Sequence, residues 1–153
     1  MKIIVLFVTM VIVFCSSVCF AMESKFKDAS YDFRNLKSIG LCYIGYERVF
    51  TDGTRNFVQY KNPEPDVLEY LVKRPNAKVV TGQADKTPAS LIVEIYRIGV
   101  DENNLTRAEM EFVLTDRDSE DIVYRRRFDR TDTISCPELL ASICDDFYRD
   151  IAF

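Results

Sequence analysis

The chain has 153 residues, of which 48% are apolar and 29% are charged, and its formal net charge is −4. This balance is typical of one globular domain and argues against a disordered, fibrous or polytopic membrane protein. Histidine and tryptophan are both absent, which excludes Ser-His-Asp and Cys-His catalysis and histidine ligation of zinc or haem, and the acidic charge argues against a nucleic-acid partner.

Residues 1–21 have the pattern of a secretory signal peptide. Lys2 precedes an apolar run from Ile3 to Phe14, and the segment ends in small residues at Ala21 before the charged residue Glu23. We predict cleavage after Ala21. The mature protein is then expected to be extracytoplasmic, either periplasmic or secreted.

Two alternatives would keep the chain on a membrane. Residues 3–22 are just long enough, at about 1.5 Å per residue, to cross a bilayer as an uncleaved anchor. A lipid could instead be attached at Cys15 or Cys19, although Phe14 and Val18 stand where a lipoprotein signal has a small residue. We expect no other contact with a membrane.

An N-terminal arm over residues 22–36 leads into one domain over residues 37–153. The first strand is predicted at residues 37–46, where apolar residues on both alternating faces indicate a central position in a sheet. Residues 47–60 contain Asp52-Gly53, a dipeptide that favours a tight turn, and the sequence leaves open whether they form a hairpin or a loop.

A helix is predicted from Pro63 to Arg74, and a short strand at residues 77–81 follows it. Pro63 suits the first turn of a helix and Pro75 ends it. The apolar residues of this helix fall on one stripe: Val67, Leu68, Leu71 and Val72.

The second half of the domain is predicted as three antiparallel strands and a closing helix. The strands cover residues 90–100, 105–115 and 122–130. Ser135 and Glu138 form a capping-box pattern at the start of the helix. Its apolar stripe continues to the end of the chain: Leu139, Leu140, Ile143, Cys144, Phe147 and Ile151.

This order of elements, β-α-β-β-β-β-α, predicts an α+β fold. We expect a mixed, mainly antiparallel sheet of about five strands, with a parallel crossover at its start and two helices packed on one face. Tyr31-Asp32-Phe33, the strand from Ala89 to Ile95 and the closing helix resemble small secreted or lipid-anchored bacterial envelope domains of unknown function, over about residues 31–153. That family usually has a lipobox cysteine, from which this chain departs, and the resemblance implies no catalytic residue.

Three cysteines remain after the signal peptide: Cys42, Cys136 and Cys144. Cys136 and Cys144 lie about 12 Å apart along one predicted helix, too far for a disulfide, so any bridge must use Cys42. The alternative is three free thiols. No pair has the spacing of metal ligands, and we expect neither a metal nor a cofactor.

The run Arg125-Arg126-Arg127 is the densest basic segment, and strand alternation divides it between two faces. A register that pairs Phe112 with Tyr124 would place Glu111 opposite Arg125 and Glu109 opposite Arg127. The same reasoning on the preceding hairpin places Arg97 opposite Glu109. These arginines are therefore predicted to be neutralised within the sheet.

Three functions are compatible with these patterns. The first is a non-catalytic module that binds another envelope or secreted protein through a sheet edge or an aromatic surface. The others are a small-ligand carrier with an apolar pocket and a hydrolase that uses only carboxylates, although no catalytic pair stands out. The candidate surface consists of five aromatic residues: Tyr43, Tyr46, Phe50, Phe57 and Tyr60.

Overall fold

The computed structural model describes residues 24–46 and 57–152, and both helices pack on one seven-stranded sheet. The predicted signal peptide, Phe50 and most of the hairpin-or-loop segment lie outside these residues. The elements are β1 (Lys25–Lys27), β2 (Ile39–Tyr46), β3 (Val58–Gln59), α1 (Pro63–Val72), β4 (Val79–Val80), β5 (Ala89–Val100), β6 (Thr106–Asp116), β7 (Ile122–Asp132) and α2 (Cys136–Ile151).

The strands lie in the order β1-β7-β6-β5-β2-β4, and β3 pairs with the end of β5. Strand β2 is parallel to both β4 and β5, with α1 in the connection, whereas β5, β6 and β7 form an antiparallel meander. The predicted α+β fold with a mixed sheet is confirmed. Over the described residues the sheet has seven strands where about five were expected, because β1 and β3 each add two or three paired residues.

Both helices cover the same face of the sheet, as predicted. Ser135 accepts a hydrogen bond from the backbone N–H of Glu138, whose side chain bonds back to the cap residue, so α2 begins with the expected capping box. Phe147 of α2 is fully buried and stacks on Phe112 of β6 with ring centroids 4.8 Å apart. The core thus lies between the helices and the inward residues of β5, β6 and β7.

Strand β1 is held against the rest of the fold by Asp150, near the end of α2. Lys25 Nζ lies 2.6 Å from Asp150 Oδ1, and Lys27 Nζ donates to the backbone carbonyl of the same residue. Tyr124 and Arg126 donate to Asp150 Oδ2 at 2.9 and 2.8 Å. The two lysines of β1 thus tie the polar arm to the end of α2, where β7 also binds.

The prediction that β2 is central is wrong for its second half. Strand β4 pairs only with Ile39 and Gly40, so among the described strands residues 41–46 have β5 as their one neighbour. The register between β2 and β5 shifts between Leu41 and Tyr43, and Cys42 at this irregularity is exposed. A bulge leaves one residue outside the regular pairing and redirects its side chain, which the apolar pattern could not indicate.

Candidate interaction surface on the outer face of the sheet

The face of the sheet opposite the helices, called the outer face below, carries a continuous row of side chains across five strands. Tyr43 of β2 pairs with Ile92 of β5, Ile92 with Val113 of β6, Val113 with Arg125 of β7, and Arg125 with Phe26 of β1. Directly paired residues point to the same side of a sheet. We call these five residues the cross-sheet row.

The cross-sheet row is largely open to solvent. Tyr43 is 55% exposed, Phe26 50% and Ile92 39%, and Arg125 is also exposed. Exposed apolar side chains grouped on one face among charged ones are typical of a site that contacts another macromolecule, whereas isolated exposed apolar residues need no explanation. The alignment of these residues in one row therefore makes the outer face a candidate interaction surface.

A fixed set of ion pairs lies within and beside the cross-sheet row. Arg125 Nε lies 2.8 Å from Glu111 Oε1, and Arg127 pairs with Glu109. The hydroxyl of Tyr96 donates to Glu111, and the guanidinium of Arg127 lies 4.6 Å from the centre of the Tyr96 ring. The hydrogen bond from Arg125 lowers the pKa of Glu111, while burial raises the pKa of Tyr96. These contacts fix the positions of the charged side chains in the chain without a partner.

A glycine in β2 makes room for two side chains of this surface. A Cβ at Gly45 would lie 2.5 Å from Oε2 of Glu94 and 2.5 Å from the ring of Tyr43. Glycine therefore lets both side chains lie over the strand. Within the described parts of the chain, no ion pair involves Glu94.

Four of the five aromatic residues predicted as a surface are described, and they are divided between the outer face and the core. Tyr43 lies on the outer face, and the Phe57 ring lies close to Gly99, with the Arg97 guanidinium 5.2 Å from its centre. Tyr46 and Tyr60 are half-buried against the core, where the Tyr46 hydroxyl donates to the Tyr60 carbonyl at 3.1 Å. The hydrogen bond to Asp66 raises the pKa of Tyr60 to about 12. Tyr46 and Tyr60 thus stabilise the segment that leads into α1.

The three cysteines are placed as separate free thiols. Cys42 is exposed on β2, whereas Cys136 and Cys144 are buried on α2. Burial raises the pKa of Cys136 and raises that of Cys144 to about 12. Cys42 lines an open groove of about 420 Å³ between β2 and the first turns of α1.

Sequence reasoning missed most of the cross-sheet row. Ile92 and Val113 could have been found, because strand alternation places them beside Glu94 and Glu111 on the polar face of β5 and β6. Phe26 gave no such signal, since a strand of three residues is too short to show a period.

The remaining features of the described chain concern metal binding, membrane spanning and a second groove. Over residues 24–46 and 57–152, no group of three or more His, Cys, Asp and Glu side chains is arranged to hold a metal ion. In the same residues, neither helix has the length and hydrophobicity needed to span a bilayer. A second open groove, of about 510 Å³, lies between Arg74 and the end of α2.

The fold is similar to that of a bacterial protein of known structure. No family model matches the chain, and no curated protein matches its sequence. One similar structure is a PelC dodecamer from Paraburkholderia phytofirmans with one leucine-to-methionine substitution. Its TM-score is 0.59 at 11% sequence identity, and the match covers 86% of this chain and 96% of that chain. The PelC dodecamer from the same organism in a second crystal form gives 0.57 at 10% identity, with coverages of 86% and 96%.

Another solved structure gives a lower score. Protein XCC0632 from Xanthomonas campestris, of family DUF330, has a TM-score of 0.46 at 12% identity, covering 82% of this chain and 85% of that chain. The PelC structures show that a bacterial protein has this fold. The envelope location suggested by the sequence resemblance stays a prediction.

Proposed function

We propose that this chain is a non-catalytic, extracytoplasmic interaction module that binds protein through the outer face of its sheet. The observation that carries the proposal is the cross-sheet row, in which three half-exposed apolar side chains are aligned over five strands. Burying such a strip against a partner would contribute about 25 cal/mol for each Å² of apolar surface removed from water.

The sequence before β1 supports an extracytoplasmic location. Its cationic start, apolar run and small residues up to Ala21 are the parts of a signal peptide, so the partner would itself be an envelope or secreted protein. PelC, which has a similar fold, is a dodecamer. A role in assembly is therefore compatible with this architecture.

The two alternative functions have less support. A carrier needs an enclosed apolar cavity of at least about 300 Å³, whereas the grooves beside Cys42 and Arg74 are open, and Phe112, Phe147 and other fully buried side chains fill the space between the helices and the sheet. A carboxylate-based hydrolase needs two available carboxylates in one cleft, and both Glu109 and Glu111 are paired with arginines.

Site-specific photocrosslinking in the producing cell tests the proposal. A photoreactive amino acid replaces Ile92 on the outer face, and a matched control replaces Glu69, whose side chain is 58% exposed on α1. We expect discrete protein adducts from position 92 and none from position 69. Absence of adducts at position 92, or the same adducts from both positions, would contradict the proposal.

A further inference from the structure

We infer that the partner of the outer face is a second copy of this chain, related to the first by a two-fold axis that lies in the interface and runs parallel to β6. The inference rests on the proposed function and names its partner. A two-fold interface uses the same patch on both copies, so the patch must be complementary to itself. The register of the sheet determines which residues of the two copies would face each other.

Strand β6 is the middle strand of the five that carry the cross-sheet row, in the order β1-β7-β6-β5-β2. Rotation about an axis along β6 places β7 of one copy over β5 of the other and β1 over β2. Residues of one row then meet residues of the same row in the other copy.

In the cross-sheet row, apolar side chains meet at three of the five positions, and Arg125 of each copy lies over Ile92 of the other. Val113 lies on the axis and faces its own copy, while Phe26 of β1 faces Tyr43 of β2 at each end of the row. Both aromatic side chains are about half exposed in a single copy. Aromatic pairs of this kind add attraction beyond the area that they bury, because the edge of one ring favours the face of the other.

In the two neighbouring rows, opposite charges meet. One row runs Arg127, Glu111, Glu94 across β7, β6 and β5, so that Arg127 of one copy faces Glu94 of the other. The next row runs Asp129, Glu109, Arg97, so that Asp129 faces Arg97. The two-fold axis repeats each contact, which gives about four pairs of opposite charge, two of them made by Arg127 in addition to its pair with Glu109 within the chain.

The residues on the axis do not oppose this arrangement. Glu111 and Glu109 each approach their own copy, but Arg125 and Arg127 already neutralise them within the chain. The other two-fold axis in the plane of the face, along the cross-sheet row, would place β7 over β7 and Arg125 against Arg125. Charge therefore favours the axis along β6.

The area of the face fits a reversible dimer. Five strands about 4.8 Å apart span about 20 Å, and the residues from Ile122 to Asp129 span about 25 Å. This gives about 500 Å² for each copy and about 1,000 Å² in total, close to the lower end for a specific interface. We therefore expect the dimer population to depend on protein concentration.

Complementary charge reversals test this geometry. Asp129→Arg places like charges at two contacts of the dimer, and Arg97→Asp does the same with the opposite sign. Sedimentation velocity over a range of concentrations, on protein purified from cells that express the full chain, should show self-association of the unchanged protein. We expect each variant alone to self-associate at least about tenfold more weakly.

An equimolar mixture of the two variants provides the decisive measurement. In the mixed dimer the introduced arginine faces the introduced aspartate and Arg97 faces Asp129, so association should return to that of the unchanged protein. Lys73→Glu, on the exposed part of the chain after α1, is the matched control and should leave association unchanged. Circular dichroism checks that all variants are folded.

The inference is overturned if the unchanged protein is monomeric at every concentration, or if the mixture associates no better than its components. Crosslinked adducts from position 92 whose mass is not twice that of the chain would also overturn it, while leaving the proposed function intact. Absence of any adduct at that position would instead contradict the proposed function.

Discussion

Arg125 binds Glu111 diagonally across the sheet. Its Nε and Nη2 donate to the two carboxylate oxygens at 2.8 and 3.1 Å, yet the direct partner of Arg125 in the ladder is Val113 and that of Glu111 is Arg127. The Glu111 side chain is only 7% exposed. An ionised carboxylate this deeply buried depends on its donors, since burial without them is costly.

The sequence predicted this contact with a register that was wrong by two residues. It paired Phe112 with Tyr124, whereas Phe112 pairs with Arg126 and Leu114 pairs with Tyr124. The hairpin closes with Asp116 N–H bonded to Asp121, and the register shifts at Leu114 and Thr115. A shift of two residues keeps every side chain on its face, and a long arginine reaches the diagonal position.

The buried carboxylate predicts a pH dependence of stability. The hydrogen bond from Arg125 lowers the folded-state pKa of Glu111 below its unfolded value of about 4.3, so its contribution is fully present above that value. It is lost as the pH falls through the lower folded-state pKa. We expect Glu111→Gln to remove this part of the acid destabilisation, as measured by urea unfolding between about pH 3 and 7.

Arg125→Met is the matched variant, since it removes the donor and keeps the stem of the side chain. It should destabilise the protein at pH 7 by about 1–3 kcal/mol, because the carboxylate stays buried with fewer donors. Equal acid sensitivity of the unchanged protein and of Glu111→Gln would show that Glu111 contributes nothing to it.

Truncation of Phe147 tests how much the packing of α2 on the sheet contributes to the free energy of unfolding. This fully buried ring contacts the rings of Phe112, Tyr124 and Tyr148, with centroids 4.8 to 5.6 Å away. We expect Phe147→Ala to lower the free energy of unfolding by about 3–5 kcal/mol. The control Phe26→Ala, at a half-exposed ring, should change it by about 0.5 kcal/mol at dilute concentration. A loss below about 1 kcal/mol at Phe147 would mean that α2 is peripheral.

Long periodic segments were predicted well, and short segments were missed. Strands β5 and β6 begin and end within one residue of their predicted bounds, and the predicted pairing of Arg97 with Glu109 is confirmed. Segments of about eleven or more residues give a clear period. Strands β1 and β3 depend on partners distant in sequence, such as Asp150 for β1 and Gly99 for β3, so no local pattern indicates them.

The candidate surface was predicted less well than the fold. Aromatic content near β2 indicated Tyr43, which lies on the outer face, but composition could not separate it from Tyr46 and Tyr60, which pack on the core. Which face each residue occupies depends on the irregular pairing at Cys42, and the pattern of apolar residues does not encode it.

Two glycines next to side chains of the outer face should differ in their tolerance of a methyl group. A Cβ at Gly99 would lie 2.4 Å from the backbone carbonyl oxygen of Val58, whereas a Cβ at Gly45 meets only the side chains of Glu94 and Tyr43. Backbone paired in β3 cannot move without loss of hydrogen bonds. We expect Gly99→Ala to cost about 1–3 kcal/mol and Gly45→Ala to cost less, by thermal or urea unfolding. The reverse order would show that β3 is loosely attached.

The arginine run should have little affinity for nucleic acid. Arg125 is paired with Glu111, Arg126 with Asp150 and Arg127 with Glu109, so each positive charge is neutralised within the chain, whose net charge is −4. Phosphate binding would have to break these pairs and work against the overall acidic charge. Fluorescence anisotropy with a labelled random DNA duplex at physiological salt should give a Kd of about 10⁻⁴ M or weaker. Replacing Arg125 and Arg127 by Met together should leave that weak binding unchanged, whereas tight binding abolished by this double change would mean that the run contacts nucleic acid.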